Sequence, residues 1–134
     1  MADAERSKQP SGLRVLLVED EMMIAMLVES MLIDLGHEVS GPVGWLNKAV
    51  EMAEREDLDL AVIDVNINGG SAYPVAAALA NRSIPFIFAT GYGRAGLAAP
   101  FKDRPTLQKP YRSEDLCSAI EALFAIDTDL PAGE

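Results

Sequence analysis

Leu60-Ala61-Val62-Ile63-Asp64-Val65-Asn66-Ile67-Asn68-Gly69-Gly70 is an apolar run that ends on an acid and then breaks into a glycine turn. A short, wholly apolar run of this kind reads as a strand buried on both faces, as in a parallel sheet; the strand is placed at Asp59–Val65. Val15-Leu16-Leu17-Val18 ends in the same way on the acidic pair Glu19-Asp20. Phe86-Ile87-Phe88-Ala89 ends on Thr90, and the short segment Thr106–Gln108 is followed by Lys109-Pro110. In an open parallel sheet, ligands gather beyond the carboxyl ends of the strands. Glu19, Asp20, Asp64, Thr90 and Lys109 are therefore expected to meet.

Between these strands the continuous apolar runs give way to apolar residues at helical spacing. Glu21–Leu35 carries Ile24, Leu27 or Val28, Met31 and Leu35 at helical spacing, with Gly36 as its stop. His37–Val43 is a second strand that Pro42 confines to an edge. Asn47–Arg55 is a short helix, Asn68–Ser71 a loop, and Tyr73–Asn81 an alanine-rich helix. Glycines and prolines in 91–105 leave room for only a short or irregular fourth helix. Ser113 caps a last helix with Leu116, Ile120, Leu123 and Phe124 as its core stripe. Alternating strands and helices predict a flavodoxin-like, doubly wound α/β fold: a five-stranded parallel sheet in the order 2-1-3-4-5. In that order Asp20 and Asp64 face each other across the switch point. Residues 1–12 read as a flexible leader, 13–126 as the domain and 127–134 as a flexible tail.

Composition narrows the function. The chain has 134 residues, 49% of them hydrophobic, and a formal charge of −10. It can bury a real core, and it lacks the basic footprint that nucleic acid or an anionic membrane surface requires. No apolar stretch is long enough to span a bilayer, and residues 1–12 lack the apolar centre of a secretion signal. Cys117 is the single cysteine, so neither a disulfide framework nor a cysteine metal site is expected. A cytoplasmic protein is the simple reading. His37 is expected on the surface, Cys117 as an inert, partly packed helix residue, and Trp45 as a packing anchor near the second helix. Met22, Met23, Met26 and Ile33 exceed what one core stripe needs; they either pack on neighbouring helices or form a docking face.

Carboxylates converging on one crevice repel one another by about 4 kcal/mol per pair at 4 Å and an effective dielectric near 20. Such a site calls for a hard divalent cation, and oxygen ligands suit Mg2+. A cation and Lys109 flanking an aspartate form a receptacle for a phosphoryl group, whose oxygens they neutralise while the aspartate attacks in line.

Taken together, Val18-Glu19-Asp20-Glu21, Asp64, Thr90 and Lys109-Pro110 resemble the receiver domain of two-component response regulators, over about Leu13 to Phe124. Pro85-Phe86-Ile87-Phe88-Ala89-Thr90-Gly91-Tyr92 resembles the subfamily marked by Phe-Ala-Thr-Gly-Tyr, which is often stand-alone and often partnered with HWE-type histidine kinases. The resemblance implies that Asp64 is the phosphoacceptor and that Mg2+ is held by Asp20, by Glu19 through water and by the Asn66 carbonyl. It further implies that Thr90 and Lys109 bind phosphoryl oxygens and that the Lys109-Pro110 bond is cis. Where receivers usually carry Tyr or Phe, three residues before the lysine, this chain has Thr106. Thr90 and Tyr92, with the 91–104 segment behind them, are then expected to carry the switch. The function so implied is that of a single-domain response regulator phosphorylated by a histidine kinase or histidine phosphotransfer protein. It would signal through an unknown downstream protein, as output competitor, relay or phosphate sink. A receiver-like binding module that works without phosphorylation is the alternative.

Overall fold

The computed structural model describes residues 12–91, 97 and 104–132, with side chains through 124. Its strands are β1 (Arg14–Val18), β2 (Glu38–Val43), β3 (Leu60–Asp64), β4 (Asn66–Ile67), β5 (Gly70–Ser71), β6 (Phe86–Thr90) and β7 (Thr106–Gln108). Its helices are α1 (Met22–Asp34), α2 (Leu46–Arg55), α3 (Tyr73–Asn81) and α4 (Ser113–Ala132). Five strands form one parallel sheet in the order β2-β1-β3-β6-β7. This is the predicted 2-1-3-4-5 arrangement.

The reason for the arrangement lies in the strands. From Val15 to Val18, successive side chains of β1 are buried, alternating between two cores. Leu16 and Val18, with Ala61, Ile63, Phe86 and Phe88, face α2 and α3. Val15 and Leu17, with Leu60, Val62 and Ile87, face α1 and α4. Burial on both faces needs helices on both faces, which only crossover connections supply. Pro42 lies on edge strand β2, where the pairing with β1 is irregular, and the Gly41-Pro42 bond is cis. Gly41 has φ +103°, and a Cβ there would lie 2.8 Å from the Leu17 carbonyl oxygen, so a side chain is excluded.

Several expectations need correction. Asn68–Ser71 is not merely a loop, because β4 and β5 pair antiparallel around it. Gly69, at φ +100°, makes the turn tight enough for that pairing. His37 is buried rather than on the surface. Its Nδ1 accepts the Leu13 N–H at 3.2 Å, while Glu38 N–H donates to the Leu13 carbonyl at 2.9 Å. Burial holds its pKa below the ordinary histidine value. Trp45 is 61% exposed, so it is not the packing anchor expected near the second helix. Leu27 is exposed, and Val28 takes the core position.

The cap of α4 falls one residue early. The Arg112 carbonyl accepts the Leu116 N–H at 3.1 Å, the first bond of the helix, and the Arg112 N–H donates to Asp115 Oδ2 at 2.9 Å, the acidic half of a capping box. That helix also continues through the expected tail to Ala132, since no glycine or proline interrupts 113–130. Tyr92 and most of the expected fourth-helix segment lie outside the described residues, as does the leader through residue 11. Among the described residues no helix is long and apolar enough to cross a membrane.

Candidate functional site

Strand register brings the site together. Val18 pairs with Ile63, so Glu19 follows β1 at the level where Asp64 ends β3. Asp64 pairs with Ala89, placing Thr90 one residue beyond it on β6. Lys109 N–H donates to the Thr90 carbonyl at 2.8 Å, which fixes the first residue after β7 at the same level. The Lys109-Pro110 bond is cis, as the resemblance implied.

One carboxylate oxygen each from Glu19, Asp20 and Asp64 lies within 4.8 Å of the others. Lys109 Nζ reaches both Glu19 Oε1, at 3.0 Å, and Asp64 Oδ2, at 3.1 Å. Glu19 is buried, Asp64 is half-buried and Asp20 is exposed, so the cluster opens toward solvent at Asp20. Glu19 also accepts the Glu21 N–H at 3.1 Å, which holds its carboxylate across the start of α1. Thr90 is buried, and Asn66 stands exposed two residues past Asp64.

The electrostatics follow from this packing. Burial raises the Glu19 pKa; the Lys109 hydrogen bond opposes that rise, and the Asp64 charge adds to it. For Lys109, burial works against the charge, but the Glu19 hydrogen bond and the Asp64 and Glu19 charges outweigh it and raise the pKa. Tyr111 is raised by burial and then by the Glu19 and Asp64 charges, so its phenol stays protonated. Three acids with a single ammonium, which pairs with Glu19 and Asp64, leave negative charge unbalanced. The donor set is hard oxygen with one open side, which fits a divalent cation such as Mg2+.

Two features of the site escaped the sequence reading. At Gly44 a Cβ would lie 2.8 Å from Asp20 Cα and 3.0 Å from its Cβ, so the loop after β2 can cradle Asp20 only without a side chain. A glycine directly after an edge strand beside the acidic loop was the available signal. Trp45, Met22 and Met26 join Glu19 and Asp20 around a cleft of about 320 Å³. On the other side, Lys109, Pro110 and Tyr111 with α1 enclose a groove of about 260 Å³. Of the named switch pair, Thr90 lies in the site; Tyr92 lies outside the described residues.

The family model of the response regulator receiver domain matches residues 15–121. The chain is 34% identical over 112 residues to the transcriptional regulatory protein PdtaR of Mycobacterium tuberculosis, covering 81% of this chain and 55% of PdtaR. The solution structure of SdrG from Sphingomonas melonis Fr1 superposes with a TM-score of 0.76 at 42% identity, covering 86% of this chain and 99% of SdrG. The crystal structure of the response regulator PhyR from Brucella abortus gives a TM-score of 0.75 at 30% identity, covering 99% of this chain and 56% of PhyR. The chain spans about half the length of the curated relatives it matches.

Proposed function

This chain belongs to the response regulator receiver domain family, and from that premise we propose that it accepts a phosphoryl group on Asp64. The donor in this reading is the phosphohistidine of a histidine kinase, of the HWE type among others, or of a histidine phosphotransfer protein. What carries the reading is the convergence of Glu19, Asp20 and Asp64 around Lys109 at the carboxyl end of the sheet.

Asp64 Oδ attacks phosphorus in line, the phosphorus–nitrogen bond to the donor histidine breaks, and an acyl phosphate results. Asp20 and Asp64 would hold Mg2+ directly, Glu19 through water and Asn66 through its carbonyl; when bound, the ion neutralises charge on the transferring group. Lys109 already lies against Asp64 and supplies a fixed positive charge to a phosphoryl oxygen. Thr90 donates its hydroxyl to another, and water later releases the group as inorganic phosphate. Output then passes through contacts with a downstream protein, by competition, relay or drain of phosphate.

Incubation with acetyl phosphate and Mg2+, followed by mass spectrometry, tests the reading. The wild type should gain one phosphoryl group at Asp64, and Asp64→Asn none. Uptake by the variant at the normal rate would refute the assignment. A folded wild type that never reacts would leave the phosphorylation-independent binding module in its place.

A further inference from the structure

We propose that Met22, Met23 and Met26 form an oxidisable methionine site at the exposed start of α1, with Met22 and Met26 lining the cleft around Glu19 and Asp20, and that their sulfoxides weaken docking of a protein phosphodonor. The docking half rests on the function proposed above. The three side chains are 74%, 82% and 59% exposed. Met31 is 9% exposed and Met52 only partly exposed, so the same chain contains its own controls. Thioether oxidation follows exposure. The competing thiol is poorly placed: Cys117 is half-buried, and burial together with the Glu121 carboxylate 3.8 Å away raises its pKa, which keeps the reactive thiolate scarce.

Position gives the modification its effect. Met22 and Met26 line the cleft that also holds Glu19 and Asp20, so a protein delivering a phosphoryl group to Asp64 arrives over them. Helix α1 has no lysine or arginine from Met22 to Asp34 and carries Glu29 and Asp34. The complementary donor surface is therefore apolar with basic flanks. Oxidation by hydrogen peroxide proceeds by attack of the sulfur lone pair on a peroxide oxygen. The O–O bond breaks, an S–O bond forms, sulfur loses two electrons and the peroxide is reduced to water. A flexible apolar group becomes a polar one whose oxygen adds negative character beside an acidic cleft.

The test oxidises the whole chain alone with hydrogen peroxide, removes the peroxide with catalase, and maps the added oxygen by fragmentation mass spectrometry. Phosphorylation is then followed from two donors, acetyl phosphate and a phosphorylated histidine kinase active on the untreated chain. Oxygen should appear on Met22, Met23 and Met26 before Met31 and Met52. Transfer from the kinase should slow by roughly tenfold, about the loss of one good apolar contact, with the acetyl phosphate rate unchanged. Methionine sulfoxide reductase should restore it. A triple Met→Leu variant should show the same kinase rate before and after peroxide, whatever that rate is. Equal oxidation of Met31 or Met52 overturns the site; an undiminished kinase rate, or equal slowing with acetyl phosphate, overturns the docking effect. An untreated chain inert to both donors would sink the phosphoacceptor reading itself, and the docking half with it.

Discussion

Replacing Asp20 by Asn should stabilise the metal-free protein and abolish its response to Mg2+. The substitution keeps the shape and removes one of three charges whose oxygens lie within 4.8 Å of one another. At that separation each like-charged pair costs about 3.5 kcal/mol at an effective dielectric near 20, and about 0.9 kcal/mol in bulk water. Asp20 takes part in two such pairs and is exposed, so the watery limit governs and the relief is about 2 kcal/mol. The attractions of Lys109 to Glu19 and Asp64 are untouched. For a chain of this size that relief corresponds to a rise in Tm of roughly 5–10 °C.

Circular dichroism melts in EDTA at low salt give the first number, and repeats in Mg2+ give the second. The wild type should gain about 1.4 kcal/mol at a tenfold excess of Mg2+ over its Kd, because the ion binds only the folded cluster. Asp20→Asn should gain little, and added monovalent salt should shrink the difference between the metal-free proteins. A variant that melts below the wild type in EDTA, or that responds fully to Mg2+, would refute the account of the cluster as mutually repelling ligands.

Three further outcomes are expected. Because burial lowers the His37 pKa below 6.5, the unfolded chain takes up the proton first as pH falls; His37 stability is present above that value and lost on acidification through the folded value. Wild type should therefore lose stability relative to His37→Gln in urea melts below about pH 6.5, and parallel pH profiles would exclude the effect. Gly44→Ala places a Cβ 2.8 Å from Asp20 Cα, so Mg2+ affinity should fall by roughly tenfold; Trp45, which lines the same cleft, reports the titration by fluorescence, and unchanged affinity would show that the loop yields. Among the described residues, apart from its chain neighbours, no atom lies within 4 Å of where a Cβ would sit on Gly91, so water should reach the acyl phosphate and the label should be transient; label that persists overnight in Mg2+ would count against that opening.

The central strands were legible because burial on both faces leaves a continuous apolar run. Leu60–Asp64 is one residue shorter at each end than the expected Asp59–Val65, the strand on the run Val15–Val18 begins one residue sooner at Arg14, and Thr106–Gln108 and Tyr73–Asn81 keep their expected bounds. The site was legible for the same reason, since a strand end is visible where an apolar run stops on a charge. What the sequence hid depends on partners far along the chain. His37 looks like a polar strand starter, but pairing of Leu13 with Glu38 folds it inward and gives its nitrogen a backbone donor. Trp45 looks like core by size, yet α2 turns Ala49 and Ala53 to the core, and the indole just before the helix stays exposed. Gly44 carries no chemistry of its own, and only the proximity of Asp20 gives it a role.

The absence of an aromatic at position 106 changes how a displacement of Thr90 could travel. Thr106 Oγ1 donates to the Arg104 carbonyl at 2.9 Å, and the Arg104 guanidinium lies 4.8 Å above the Phe86 ring. The start of β7 is thus tied to β6 through a small hydroxyl and a cation over a buried ring, with no large side chain free to swing. At the other end of β7, the Thr90 carbonyl is bonded to the Lys109 N–H. Two residues on, Tyr111 packs against α1 beside the acidic cluster. A Thr90 drawn toward a phosphoryl oxygen would pull on Lys109 through that bond and on Gly91 through the chain. The half-buried Tyr111 ring would then sit where a change at Lys109 reaches α1. A displacement of Thr90 would then pass along the backbone bond to Lys109 toward the groove that Lys109 and Tyr111 share with α1, on the helix over which a protein donor would arrive.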